Sequence, residues 1–160
     1  KALFTSDLHG WTRFVSMQPH YNLIYREEER EMIPLCQDQK IAIIPWSPLA
    51  RGLLTGNRSK ERTETLRART DEFGKSLYKM DSDFEIVKRL SEVSSGKGLP
   101  DARVALAWML SKPYITAPII GASKPGHLED AVAALDVNLT PDDIRYLEEL
   151  YQPHNIMGHS

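Results

Sequence analysis

Trp46 stands between Pro45 and Pro48, directly after the apolar run Ile-Ala-Ile-Ile at residues 41–44. Such a run suits a parallel strand buried on both faces, and the prolines would stop it. An aromatic ring is then left at the strand's C-terminal end, beside a small-residue loop of Ser47, Ala50, Gly52 and Gly56. A ring face next to open backbone N–H groups suits a flat ligand ring joined to phosphates. The alternative for Trp46 is packing in the core or at its rim.

A second strand end repeats the theme. Residues 117–120 run into Gly121-Ala122-Ser123-Lys124-Pro125, and a helix follows. Gly121 would let the backbone turn and approach a ligand. The first N–H groups of the helix would face incoming negative charge. Lys124 adds a formal positive charge and Ser123 a hydroxyl. The alternative is an ordinary strand-to-helix turn capped by Ser123. Gln18 closes a third strand, where its amide can both donate to and accept from a ligand amide. The alternative there is a hydrogen bond to neighbouring backbone. Three such residues at three strand ends suggest a bound dinucleotide on a β/α barrel.

The elements needed to position them can be read from the pattern. Residues 14–18, 41–45 and 115–120 read as strands without polar alternation, which implies a parallel sheet with helices outside it. Residues 27–39 read as a helix, with Glu27, Glu28 and Glu29 at its positive end and Pro34 set to kink it or shift its start. Residues 82–95 carry Ile86, Leu90 and Val93 on one face, with Gly96 and Gly98 as stops. Pro100 opens a helix whose inner face holds Val104, Ala107 and Trp108. Leu128, Ala131, Val132 and Leu135 form an amphipathic stripe. Thr140-Pro141-Asp142-Asp143 is a strong helix start, and Ile144, Leu147 and Tyr151 follow it. Lys1 to Phe4 read as the end of a helix already under way. Residues 57–80 read as a mobile loop, and residues 152–160 as a tail in which His154 and His159 are solvated. Three strands cannot close an eight-stranded barrel, which takes about 250 residues. The fold class is therefore α/β, the C-terminal part of a (β/α)8 TIM barrel, with residues 1–160 as one cofactor-binding portion.

The chain has 160 residues, 41% of them apolar and 26% charged. Its net charge of −2 argues against a general nucleic-acid binder. No apolar run approaches the ~20 residues that span a bilayer. The lone Cys36 and the absence of a visible signal peptide point to a reducing cytoplasm. No G-x-S-x-G elbow, G-x-G-x-x-G fingerprint or Walker loop is present. His9, His20, His127, His154 and His159 show no helical metal spacing, so no metal is expected.

The three stretches Gln18-Pro19-His20-Tyr21-Asn22-Leu23, Pro45-Trp46-Ser47-Pro48-Leu49-Ala50-Arg51-Gly52 and Ile120-Gly121-Ala122-Ser123-Lys124-Pro125-Gly126-His127-Leu128 resemble the aldo-keto reductases, in that family's order and spacing. Their flavour is bacterial, similar to the branch that includes potassium-channel β-subunits. The resemblance implies an NADP(H)-dependent oxidoreductase that reduces an aldehyde or ketone. By the family pattern Gln18 would hold the nicotinamide carboxamide and Trp46 would stack on the nicotinamide ring. Ser47, Leu49 and Gly52 would lie along the pyrophosphate, and Ser123 and Lys124 would meet the adenosine 2′-phosphate beyond Gly121. His127 sits where relatives often have Gln, and Asp130 where they often have Glu. Ala131 replaces the usual Asn at the adenine. The family's catalytic tetrad of Asp, Tyr, Lys and His lies in the N-terminal half of the barrel, so the resemblance places it upstream of this chain. The partners implied are a small-molecule carbonyl substrate, the N-terminal half of the barrel and a possible second copy. The rival readings are a non-catalytic nucleotide-sensing subunit and a half-barrel that assembles as a dimer.

Overall fold

The computed structural model describes residues 1–56 and 77–156. Helix α1 is Ala2–His9, closed by Gly10 at φ +65° with its N–H on the Asp7 and Ser6 carbonyls. The helix expected to end near Phe4 therefore runs five residues further. Strand β1 is Ser16–Met17 and strand β2 is Ala42–Ile43. They pair in parallel, Ser16 with Ala42 and Met17 with Ile43, and an isolated bridge extends the register to His20 and Trp46.

The third expected strand, residues 115–120, runs beside β2 without forming a ladder. The Thr116 N–H donates to the Ile43 carbonyl at 2.9 Å, and the Ile119 N–H to the Pro45 carbonyl at 2.8 Å. The return bonds are missing for identifiable reasons. The Ile43 N–H goes to the Thr116 hydroxyl at 3.1 Å instead of a carbonyl. Pro45 has no N–H to give. Among the described residues the regular sheet therefore has two strands.

The helix expected over residues 27–39 is split. Glu27–Glu29 forms a 3₁₀ turn, and α2 is Met32–Gln39. Pro34 then falls in the first turn of α2, where its missing N–H costs nothing. Helix α3 is Asp81–Lys97, α4 is Asp101–Leu110, α5 is Pro125–Ala133 and α6 is Pro141–Glu148. Gly96 does not stop α3. Gly98 does, at φ +65°, a conformation glycine adopts without penalty. Thr140 caps α6 as its sequence implies: its hydroxyl accepts the Asp143 N–H at 3.1 Å, and Asp143 accepts the Thr140 N–H at 2.8 Å.

The core lies between the segment after β1 and the helices α3 and α4. Tyr21, Ile24, Ile86, Leu90, Val104 and Trp108 are fully buried there. The Trp108 indole N–H donates to Glu148 at 2.7 Å, which satisfies its one polar atom. Leu77 and Tyr78, expected in the loop, are buried too. The rest of that loop, residues 57–76, and the end of the tail, with His159, lie outside the described residues. His154, expected in water, is buried: its Nε2 is 2.8 Å from Asp83, and its N–H donates to Glu27 at 2.7 Å. The apolar stripe that starts on α5 is left mostly uncovered: Ala131 is half-buried, but Leu128, Val132 and, in the turn after the helix, Leu135 are exposed. Val15 and Ile119 are likewise exposed, whereas Ile43 is buried. Cys36 is a buried free thiol, and burial, with Glu28 beside it, pushes its pKa up.

Candidate functional site

Three chain segments reach the same edge side by side. Gln18 follows β1, and the register sets it beside Ile44. Trp46 follows β2. The bond from Ile119 to Pro45 brings the third segment to the same level, so Gly121 emerges two residues beyond it. The sequence expected the residues at these three ends to converge, and the pairing brings them together.

Trp46 is half-buried and lies on His20, with ring centroids 4.2 Å apart and planes 14° apart. His20 in turn lies on Tyr25 at 4.2 Å. Gln18 is exposed. Ser47 turns the chain at φ +56°, and Ala50, Arg51 and Gly52 also have positive φ. Gly52, at +95°, has open space where a Cβ would stand, so its backbone angle, not crowding, is what favours glycine. The loop does not leave all its N–H groups open. Ala50 donates to the Ser47 carbonyl at 3.0 Å, Arg51 to the Ser47 hydroxyl at 3.1 Å, and Gly52 to the Leu49 carbonyl at 2.8 Å. Leu49 itself packs against the core. A phosphate along this loop would have to find other donors than these three.

Gly121, Ser123, Lys124 and His127 are all exposed. Gly121 has no positive φ, and a Cβ there would meet nothing within 4 Å, so the turn does not require glycine. Lys124, not Ser123, is the N-cap residue of α5, and no side chain caps that helix. Pro125 fills its first position. The Ser123 hydroxyl and the Lys124 ammonium are thus left at an uncapped helix start, the arrangement that favours an anion. Asp130 is half-buried and held by Arg103 at 2.5 Å.

The sequence reading missed the polar cluster behind Trp46. Asn22 is fully buried. Its Nδ2 donates to the Ser47 carbonyl and to the Tyr78 hydroxyl, both at 3.0 Å, and its Oδ1 accepts the Ile24 N–H at 3.1 Å. The Tyr78 hydroxyl is 2.6 Å from His20 Nε2. Asn22 Nδ2 also lies 3.4 Å from Nε2, and which atom donates at Nε2 follows from the His20 tautomer. Nδ1 is buried without a partner among the described residues. Burial, then the charges of His154 and Arg51, lower the His20 pKa to about 4. Burial also raises the Tyr78 pKa to about 12. The cluster is therefore neutral around pH 7. The signal for it was present in the run of polar and aromatic residues from Gln18 to Asn22, just past a strand end.

Among the described residues no three His, Cys, Asp or Glu side chains come together as a metal site. No described helix is long and apolar enough to cross a membrane.

The sequence profile of the aldo/keto reductase family matches residues 1–152. An aldo-keto reductase of Fusarium vanettenii is 48% identical over 94% of this chain and 40% of its own length. The versiconal hemiacetal acetate reductase of Aspergillus parasiticus is 46% identical over 92% of this chain and 43% of its own length. The aldo-keto reductase dtxS3 of Metarhizium robertsii is 45% identical over 97% of this chain and 41% of its own length. These relatives are fungal, whereas the motifs suggest a bacterial branch. The chain spans about two fifths of the length of the relatives it matches. With the profile covering nearly every residue, the chain belongs to the aldo/keto reductase family.

Proposed function

We propose that this chain forms the nicotinamide-nucleotide site of an NADP(H)-dependent oxidoreductase that reduces aldehydes or ketones to alcohols. The observation that carries the reading is the convergence of Gln18, Trp46 and residues 121–124 at one edge of the parallel segments. The residues present fit such a ligand. Trp46 is half-buried and held flat on one face by His20, which suits ring stacking on the other. Lys124 and Ser123 stand exposed at the uncapped start of α5, which suits a phosphate.

Bound NADPH would supply a hydride to the carbonyl carbon. The chain's own residues bind and orient. Gln18 would hold the carboxamide and so select one face of the ring. Ser47, Leu49 and Gly52 would shape the loop beside the pyrophosphate. Lys124 and Ser123 would recognise the 2′-phosphate, with His127 and Asp130 following on the same helix. The acid that protonates the carbonyl oxygen belongs, by the family pattern, to the part of the barrel that this chain does not span. The names of the relatives are consistent with reduction of aldehyde-level carbons.

The test is NADPH oxidation by the complete protein with a reactive aldehyde such as 4-nitrobenzaldehyde. Aldehyde-dependent loss of NADPH, weakened by Trp46→Ala and Lys124→Glu, is the expected result. A protein that neither binds nor oxidises NADPH overturns the reading.

A further inference from the structure

Ser47 holds a left-handed backbone, φ +56°, that side-chain-bearing residues other than Asn and Asp rarely adopt. Something must hold it there, and the contacts identify what does. Asn22 reaches across from the segment after β1 and donates to the Ser47 carbonyl at 3.0 Å. Asn22 is itself immobilised. Its backbone N–H and carbonyl both pair with Tyr25, at 3.0 and 3.1 Å, and its Oδ1 is occupied by the Ile24 N–H. Its second amide proton goes to the Tyr78 hydroxyl. Tyr78 passes the constraint on to the His20 ring, 2.6 Å away, and Trp46 rests on that ring. One buried amide therefore touches, directly or through Tyr78, both the residue before and the residue that begins the loop at the cofactor edge.

We propose that Asn22 is a positioning residue for nicotinamide-nucleotide binding: its buried amide holds Ser47 in the left-handed conformation and, through Tyr78 and His20, fixes the plane of Trp46. The proposal rests on the reading of Trp46 and Ser47 as cofactor contacts. Asn22 touches no ligand itself. Its effect is pre-organisation, since a loop already in its binding geometry loses less freedom when the ligand arrives. Three partners on three segments meet at Asn22. Aspartate would lose the two donated bonds, and alanine would take the amide partner from the Ser47 carbonyl and the Ile24 N–H.

The experiment is a double-mutant cycle on the complete protein, with the NADPH dissociation constant measured by calorimetry. Asn22→Ala should weaken NADPH about tenfold, as expected for a buried hydrogen bond with its partners orphaned. Ser47→Gly removes the need for a brace, because glycine takes positive φ unaided. In the Asn22→Ala background it should therefore cost less affinity than in the wild type. Losses that simply multiply overturn the proposal. Tyr78→Phe keeps the ring and removes only the hydroxyl, so it serves if Asn22→Ala does not fold. It should weaken NADPH about threefold and shift the ligand-free emission of Trp46, read as the difference from a Trp46→Phe background. Unchanged emission with unchanged affinity in Tyr78→Phe also overturns the proposal. The two readings fail differently. NADPH binding that ignores Trp46→Phe overturns the assignment of the site and the brace with it. Binding that needs Trp46 but ignores Asn22 and Tyr78 overturns the brace alone.

Discussion

His20 and Trp46 are register partners across the parallel pairing, and their rings lie 4.2 Å apart and 14° from parallel. Paired residues on neighbouring strands point to the same side of a sheet. The histidine is therefore the floor on which the tryptophan rests. Because burial keeps that floor uncharged near pH 7, it presents a neutral aromatic face.

Ring stacking gives a first prediction. Adding NADPH to the complete protein should quench Trp46 emission. Trp11 and Trp108 are separable by single Trp→Phe changes, Trp11 being exposed and Trp108 fully buried. A quench that persists in full after Trp46→Phe places the ligand ring elsewhere.

Cofactor choice gives a second. Lys124 and Ser123 should recognise a 2′-phosphate, so Lys124→Glu should weaken NADPH far more than NADH. The expected loss is about 1.5–3 kcal/mol, the range for a hydrogen bond to a charged group. Equal losses for the two cofactors would remove the 2′-phosphate role.

Acid stability gives a third. The His20 pKa is about 4 when folded, against 6.5 for the free side chain. Its folded pKa is depressed, so the unfolded chain binds the proton first as pH falls. The contribution of His20 is intact above pH 6.5 and is lost progressively between 6.5 and 4, by roughly 3 kcal/mol. Urea midpoints at pH 7 and 4.5 should show this loss, and His20→Phe should flatten it.

His154 gives a fourth, with the opposite sign. Burial pulls its pKa down, but the hydrogen bond and charge of Asp83 and the charge of Glu27 outweigh it, and the pKa ends raised. Its contribution is therefore fully present below about pH 6.5, the free value, and is lost as pH rises through the folded value. His154→Gln should abolish the fall in stability above pH 6.5 and, by removing one of the charges that lower the His20 pKa, shrink the acid limb due to His20. The same slope in both proteins would show that the Asp83 contact does not titrate.

Local signals in the sequence carried local structure well. The Thr140-Pro141 start of α6, the stop at Gly98 and the placing of Gln18 and Trp46 past strand ends all rest on neighbours within a few residues. What depended on distant partners could not be read this way. His154 sits in a segment without periodicity, and its burial is decided by Asp83 and Glu27, 71 and 127 residues away. Asn22 resembles any loop asparagine until Ser47 and Tyr78 fold against it. The third segment has a strand's composition, but Pro45 and the Thr116 hydroxyl remove the return bonds. The stripe on α5 shows that an apolar period marks a face without saying what covers it.

The uncovered stripe of α5 also separates the two rims of the proposed site by how firmly each is held. The Trp46 rim is tied to β1, to Asn22 and to the core, so its amides should be among the last in the chain to exchange with deuterium. The Lys124 rim opens a nine-residue helix that buries no side chain fully, and its amides should be among the first. A dinucleotide spanning both would then spend part of its binding energy on ordering α5, and the gain in exchange protection would fall mostly on the adenosine side. Affinity for the nucleotide would thus be set as much by how often α5 is formed as by the contacts it makes once formed.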